Sequence, residues 1–130
     1  MISDPISDLI IRIKNASSAK LAAIEVPYTK FVENVAQALK KAGYLAAVEK
    51  KGKDVQKSLE LGLVYLSGDA RVHDVERLSK PSRRMYWKSS DIRSYKSGYG
   101  NAFLSTPKGV LADVEAKKLK VGGEVLFRIW

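Results

Sequence analysis

The spacing of apolar residues changes period along this chain, and that change confines the fold to one mixing helices with strands. Ile6, Leu9, Ile10 and Ile13 recur at helical spacing, while Asp8, Arg12 and Asn15 fall on a different, polar face. Ser3 or Asp4 can cap this helix, Pro5 suits its first turn, and it should fade near Ser17-Ser18. Ala22 to Val26 then reads as a short strand that Pro27 stops. Thr29 can cap a second helix with an apolar stripe of Phe31, Val32, Val35, Ala36 and Leu39, and Gly43 sits where a left-handed C-terminal cap belongs. Tyr44 to Val48 reads as a strand and Lys50-Lys51-Gly52-Lys53-Asp54 as a hairpin loop. The alternation of Leu59, Leu61, Leu63 and Tyr65 makes residues 58–66 a strand with one buried face.

Beyond Ser67-Gly68-Asp69 the pattern changes, which suggests a lobe boundary. The expected class is therefore α+β in two small lobes. Residues 1–66 form a helix-strand-helix-strand-strand lobe, and residues 67–130 form a mainly β lobe with short helices. In the second lobe, residues 72–79 read as a strand of poor alternation with room for a bulge, and Arg83 to Trp87 as another. Ser89 to Tyr95 can form one or two helical turns, and Gly98 and Gly100 bracket a turn. Ala102 to Ser105 is a strand ending at Thr106-Pro107-Lys108-Gly109, and Val110 and Leu111 resume it. Asp113 can cap a short helix through Lys118, and Gly122-Gly123 leads into a last strand with Val125, Phe127 and Ile129 on one face.

Charge indicates the partner. Lys and Arg number 23 against 14 acids, net +9, and such a surface attracts polyanions. Residues 1–65 hold 10 bases and 7 acids, net +3, whereas residues 66–130 hold 13 and 7, net +6, so the second half is the stronger anion binder. No apolar run approaches the ~20 residues that a membrane span needs. The opening residues lack the basic and apolar regions of a secretory signal. The absence of cysteine excludes disulfides and thiolate metal sites, and it fits a cytoplasmic setting.

Catalysis has little support. His73 is the only histidine and reads as a strand residue beside Asp74. There is no nucleophile–base–acid set, no metal-ligand spacing, and no helix after Gly98-Tyr99-Gly100 to complete a dinucleotide fingerprint. No catalytic residue, cofactor or metal is expected. Ser105-Thr106-Pro107-Lys108-Gly109 offers small hydroxyls suited to the shallow groove of an RNA helix. Lys108 could neutralise a phosphate, and Gly109 could admit close approach of the main chain. The same residues also suit an ordinary turn. Glu124 follows Gly122-Gly123 and would be repelled by phosphate, so it must accept hydrogen bonds from base amino groups, hydroxyls or amides, or else stand in water. In Lys80-Pro81-Ser82-Arg83-Arg84-Met85-Tyr86-Trp87-Lys88, alternation puts Met85 and Trp87 on one face and leaves Tyr86 on the other, able to stack on an unpaired base. The lysines of residues 50–57 suit a solvated hairpin tip or a phosphate contact equally.

Several ordered motifs resemble the small-subunit ribosomal protein S-eight family, bacterial type, from about residue 3 to residue 130. They are Asp4-Pro5-Ile6 with Arg12-Ile13-Lys14-Asn15-Ala16, Leu78-Ser79-Lys80-Pro81 with Arg84 and Tyr86, Ser105-Thr106, Lys108-Gly109-Val110, Glu115-Ala116, Val121-Gly122-Gly123-Glu124-Val125-Leu126, and Trp130. The resemblance implies a two-lobed, non-enzymatic primary binder of small-subunit ribosomal RNA that recognises a helix in its central domain early in assembly. It puts RNA contacts on Ser105, Thr106, Tyr86 and Glu124, with Arg12, Lys14 and Asn15 as candidates in the first lobe, and Lys108, Gly109, Arg84 and Gly123 complete the expected RNA-contact set. Members of the family also contact neighbouring small-subunit proteins, and some bind their own messenger RNA; the isolated chain is expected to be a monomer. A free-standing RNA-binding translational repressor would use the same residues. Three departures stand out: Pro107 where the family has a third hydroxyl, Asn101 where an apolar residue is common, and Ser82 in place of a glycine.

Overall fold

The Asp4 carboxylate accepts hydrogen bonds from the Ser7 amide at 3.2 Å and the Ser7 hydroxyl at 2.7 Å, and so starts helix α1, Pro5–Ser18. Thr29 does the same for α2, Lys30–Lys41, accepting from the Val32 amide at 3.1 Å. A computed structural model describes residues 4–53, 57–93 and 99–130 of the chain. It divides the chain into two units, Met1–His73 and Asp74–Trp130.

In the first unit, Ile6, Leu9, Ile10 and Ile13 of α1 and Val32, Val35, Ala36 and Leu39 of α2 are buried. Phe31 is 40% exposed and so lies outside the α2 stripe: one residue of helix turns it about 100° from Val32. Three antiparallel strands run in the order β1-β3-β2: β1 Ala23–Pro27, β2 Leu45–Lys51 and β3 Ser58–Leu63. Pro27 ends an edge strand, the one place in a sheet where a missing amide donor costs little. Leu59, Leu61 and Leu63 of the central strand are buried.

Three sequence expectations shift here. Lys50 and Lys51 lie in β2 rather than in a loop, where the Lys51 ammonium bonds the Glu60 carboxylate across the sheet at 2.8 Å. Asp54 lies outside the described residues. The expected strand of residues 58–66 breaks at Val64. Tyr65–Leu66, β4, pairs instead with Asp69–Ala70, β5, around Ser67 and Gly68, both at positive φ of 53° and 85°. Ser67-Gly68-Asp69 thus closes a hairpin of the first unit, and the division falls later, between His73 and Asp74.

The second unit is an antiparallel sheet in the order β6-β10-β8-β9, with β7 also paired to β10. Its strands are β6 Val75–Arg77, β7 Tyr86–Trp87, β8 Asn101–Thr106, β9 Gly109–Ala112 and β10 Gly123–Ile129, and α3 spans Asp113–Lys118. The strand expected over residues 72–79 shrinks to β6, and His73 lies outside it. The chain still follows β10, since the Leu78 and Ser79 amides donate to the carbonyls of Leu126 and Val125. The expected helix after Lys88 is one 3-10 turn, Ser89–Asp91, while Tyr95 and Gly98 lie outside the described residues.

A register shift between Val125 and Phe127 overturns the expectation that Val125, Phe127 and Ile129 share a face. The extra residue rotates the strand by one step. Val125 pairs with Leu104 and joins Ile92, Ala102, Leu111 and Ala116 in one apolar cluster beneath α3. Phe127 pairs with Phe103 on the opposite face, their rings stacked at 5.3 Å.

Ala112, not Asp113, holds the N-cap position of α3; Asp113 is the first helical residue, and its Oδ1 accepts from the Val114 amide at 2.8 Å. Its side chain is buried, 1% exposed, and accepts from the Asn101 side-chain amide at 2.7 Å and the Ala102 main-chain amide at 3.3 Å, tying the helix to β8. Asn101 thus supplies the partner that a buried carboxylate requires.

Candidate nucleic-acid interface

Strand register assembles the site. Glu124 of β10 pairs with Tyr86 of β7 on one side and Ser105 of β8 on the other. Residues directly opposite one another in a ladder project to the same face. Tyr86, Glu124 and Ser105 therefore form one row across three strands, on the face away from Val125 and α3. They come from positions far apart in sequence, so only the sheet brings them together.

Each member of the row has a distinct chemistry. Tyr86 is 67% exposed, a ring available for stacking. No hydrogen bond holds the Ser105 hydroxyl among the described residues. Glu124 is anchored by two donors on one oxygen: its Oε2 accepts from the Ser79 hydroxyl at 2.5 Å and from Arg84 Nη1 at 2.9 Å. Burial, the largest single influence, pushes the Glu124 carboxyl up. Hydrogen bonds from Ser79 and Arg84 and the charges of Arg84 and Arg77 together outweigh it and hold the group below the usual carboxylate range.

Ser79 is the residue that the apolar and charge patterns do not reveal. It is fully buried, and its hydroxyl both donates to Glu124 and accepts from the Met85 amide at 3.1 Å. The link to Glu124 spans 45 positions, which leaves no local trace. Between these contacts the chain turns tightly, with Lys80 and Arg83 exchanging main-chain hydrogen bonds at 2.9 Å around Pro81-Ser82. Ser82 is not at positive φ, so this departure from glycine brings no strain.

The β8–β9 turn carries the other candidates. The Thr106 hydroxyl donates to the Gly109 carbonyl at 2.7 Å and accepts from the Lys108 amide at 3.1 Å. Its proton is thus spent inside the turn, and what it has left to offer a ligand is an acceptor lone pair. Pro107 and Lys108 stand exposed at the tip, and Gly109 adopts φ of 109°, a left-handed value that favours glycine. The paired glycines serve the sheet itself. A Cβ on Gly123 would lie 2.0 Å from the Ser105 carbonyl oxygen, and one on Gly122 would lie 2.3 Å from that of Trp87.

Arg12, Lys14 and Asn15 belong to the other unit. Arg12 donates to Asp8 Oδ2 at 3.0 Å and to the Glu25 carbonyl at 3.3 Å, which ties α1 to β1. Asn15 is exposed and Lys14 partly so.

Residues 4–130 match the model of one family: ribosomal protein S8. The chain belongs to the ribosomal protein S8 family. Relatives named small ribosomal subunit protein uS8 are similar along its whole length. The protein of Mycoplasmopsis pulmonis is 40% identical over 100% of this chain and 98% of its own. That of Dictyoglomus thermophilum is 40% identical over 99% and 98%, and that of Persephonella marina 41% over all of both chains. Membership of the S8 family makes the chain a structural ribosomal component and not an enzyme, and it places the protein on the cytoplasmic ribosome. Among the described residues of this S8-family chain, no helix is long and apolar enough to cross a membrane, and no cluster of ligating side chains could hold a metal.

Proposed function

We propose that this structural protein of the small ribosomal subunit is a primary binder of small-subunit ribosomal RNA, and that it recognises an irregular helix of the central domain through the Tyr86–Glu124–Ser105 row. The observation that carries this reading is the shared register of these three residues, which sets an exposed ring, an anchored acceptor and an unheld hydroxyl side by side. Tyr86 stacks on a base released from pairing. The Ser105 hydroxyl reaches a 2′-hydroxyl or a base edge in the shallow groove. Glu124 offers Oε1, the oxygen that takes neither internal bond, to an amino group or hydroxyl, while Arg84 offsets its repulsion from phosphate.

Lys108 at the turn tip and Arg84 supply salt-sensitive affinity, and Thr106 adds an acceptor. Gly123 and Gly109 act indirectly: the one lets β10 and β8 approach, the other shapes the turn. Arg12, Lys14 and Asn15 make further RNA contacts from the first unit. By binding one RNA fold and not its alternatives, the protein stabilises a junction on which neighbouring small-subunit proteins assemble. A messenger folded to present the same surface, its own included, would occupy the same row.

Filter binding against a central-domain transcript and a scrambled transcript tests this reading. Tyr86→Ala and Glu124→Ala should each weaken binding to the former by ~1–3 kcal/mol, the range for one base stack or base contact, and leave the latter unchanged. Equal loss on both transcripts would refute discrimination by the row.

A further inference from the structure

The sheet of the second unit has two faces, and the row uses one. On the other lies α3, seated on Val125 and Leu104 through Ala116. Its outer surface is cationic. Lys117 and Lys118 line a shallow groove with Arg93, which comes from a different part of the chain, above Ile92, Asp113 and Val114. Lys120 follows directly, and its amide closes the helix on the Lys117 carbonyl at 3.1 Å. All four cations are exposed. Of the two acids on this helix, Asp113 is buried and bonded to β8, so its charge is turned inward, and Glu115 is half-buried.

One feature separates this surface from cations that merely complement a helix dipole. Val114 and Leu119 are large apolar side chains left 64% and 41% exposed among the lysines.

We infer that this outer surface of α3 is a second RNA contact, which takes the phosphate backbone of a strand distinct from the one held by the Tyr86–Glu124–Ser105 row. Adjacent residues of one strand project to opposite faces, so an RNA helix seated on Glu124 cannot also cover the helix packed on Val125. The second unit then acts as a bridge between two RNA segments. A backbone contact suits lysines, which neutralise phosphate as point charges and carry no base readout. The inference rests on the reading of the chain as a ribosomal RNA binder.

The test compares two RNAs: a transcript of the whole central domain, and the shortest helix from it that wild-type protein still binds with full preference. The full-length variant Lys117→Ala/Lys118→Ala/Lys120→Ala, checked for an unchanged circular dichroism spectrum, should bind the short helix like wild type. On the whole domain it should bind roughly tenfold more weakly, with a log–log salt slope lower by about 2–3, one increment of about 0.7–0.9 for each phosphate that is no longer neutralised. Equal loss on both RNAs, or loss on neither, overturns the inference. Tyr86→Ala should weaken both; if it weakens neither, the recognition row fails while the lysine comparison still stands. Photocrosslinking from p-benzoylphenylalanine at position 114 in assembled small subunits should yield an RNA adduct. An adduct to protein alone, or none, also overturns the inference.

Discussion

Replacing Ser79 by alanine removes one oxygen, and the structure predicts a cost well beyond that of a single exposed hydroxyl. The Ser79 hydroxyl donates to the Glu124 carboxylate at 2.5 Å, a bond to a charged acceptor worth about 1.5–3 kcal/mol. It also accepts from the Met85 amide at 3.1 Å, worth about 0.5–1.5 kcal/mol more. Arg84 remains to hold Glu124, but its side chain is 55% exposed and solvent screens it, so it compensates little. The expected destabilisation is about 2–4 kcal/mol, which is a large share of the ~5–15 kcal/mol that holds a typical domain together. Urea unfolding followed by tryptophan fluorescence reads the relevant unit, because both tryptophans, Trp87 and Trp130, lie in it. A double-mutant cycle with Glu124→Gln should show coupling of at least about 1 kcal/mol. A loss below about 0.5 kcal/mol, or strict additivity with Glu124→Gln, would refute the claim that Ser79 anchors the carboxylate.

The pH dependence follows from the same contact. The folded Glu124 carboxyl titrates below its unfolded value, so its stabilisation is complete above the unfolded carboxylate pKa of ~4.3 and is lost as pH falls through the lower folded value. Wild-type stability should therefore fall more steeply below about pH 4.5 than that of Glu124→Gln, as read by urea midpoints across that range. Gly123→Ala should cost at least about 3 kcal/mol or prevent folding, since its Cβ would lie 2.0 Å from the Ser105 carbonyl, a backbone atom with no room to give; a thermal midpoint near wild type would contradict this. Asn101→Leu, which restores an apolar side chain at that position, should destabilise by about 1–3 kcal/mol because it strips a partner from the buried Asp113 carboxylate. Asn101→Leu combined with Asp113→Asn should cost less than the two changes summed.

Much of the local architecture was legible in the chain. Asp4 and Thr29 announced the two long helices because capping needs one side-chain oxygen beside a free amide, and both partners lie within three residues. The buried isoleucines and leucine of α1, Ile6, Leu9, Ile10 and Ile13, followed from spacing alone, whereas the burial of Ala16 and Ser17 did not. Helix endings were less legible. Three helices close in the same way, with the second residue past the last turn bonded back to the helix, but the left-handed position holds Gly43 once and Lys20 and Lys120 in the other two. Glycine marks such a cap in a sequence, and lysine does not.

The chain by itself determined its charge and its two long helices, because these depend on side-chain type and on spacings shorter than one element, and it marked candidate RNA-contact residues partly by side-chain chemistry and partly through the family resemblance. Only the tertiary structure decided that Tyr86, Glu124 and Ser105 share a face, that Ser79 holds the carboxylate, and that Val125 and Phe127 part company. Those outcomes depend on which strands pair, in what register and with one extra residue in β10. Side chains alternate with a period of two, so a single bulge sends the remainder of a strand to the opposite face, and no local pattern records it.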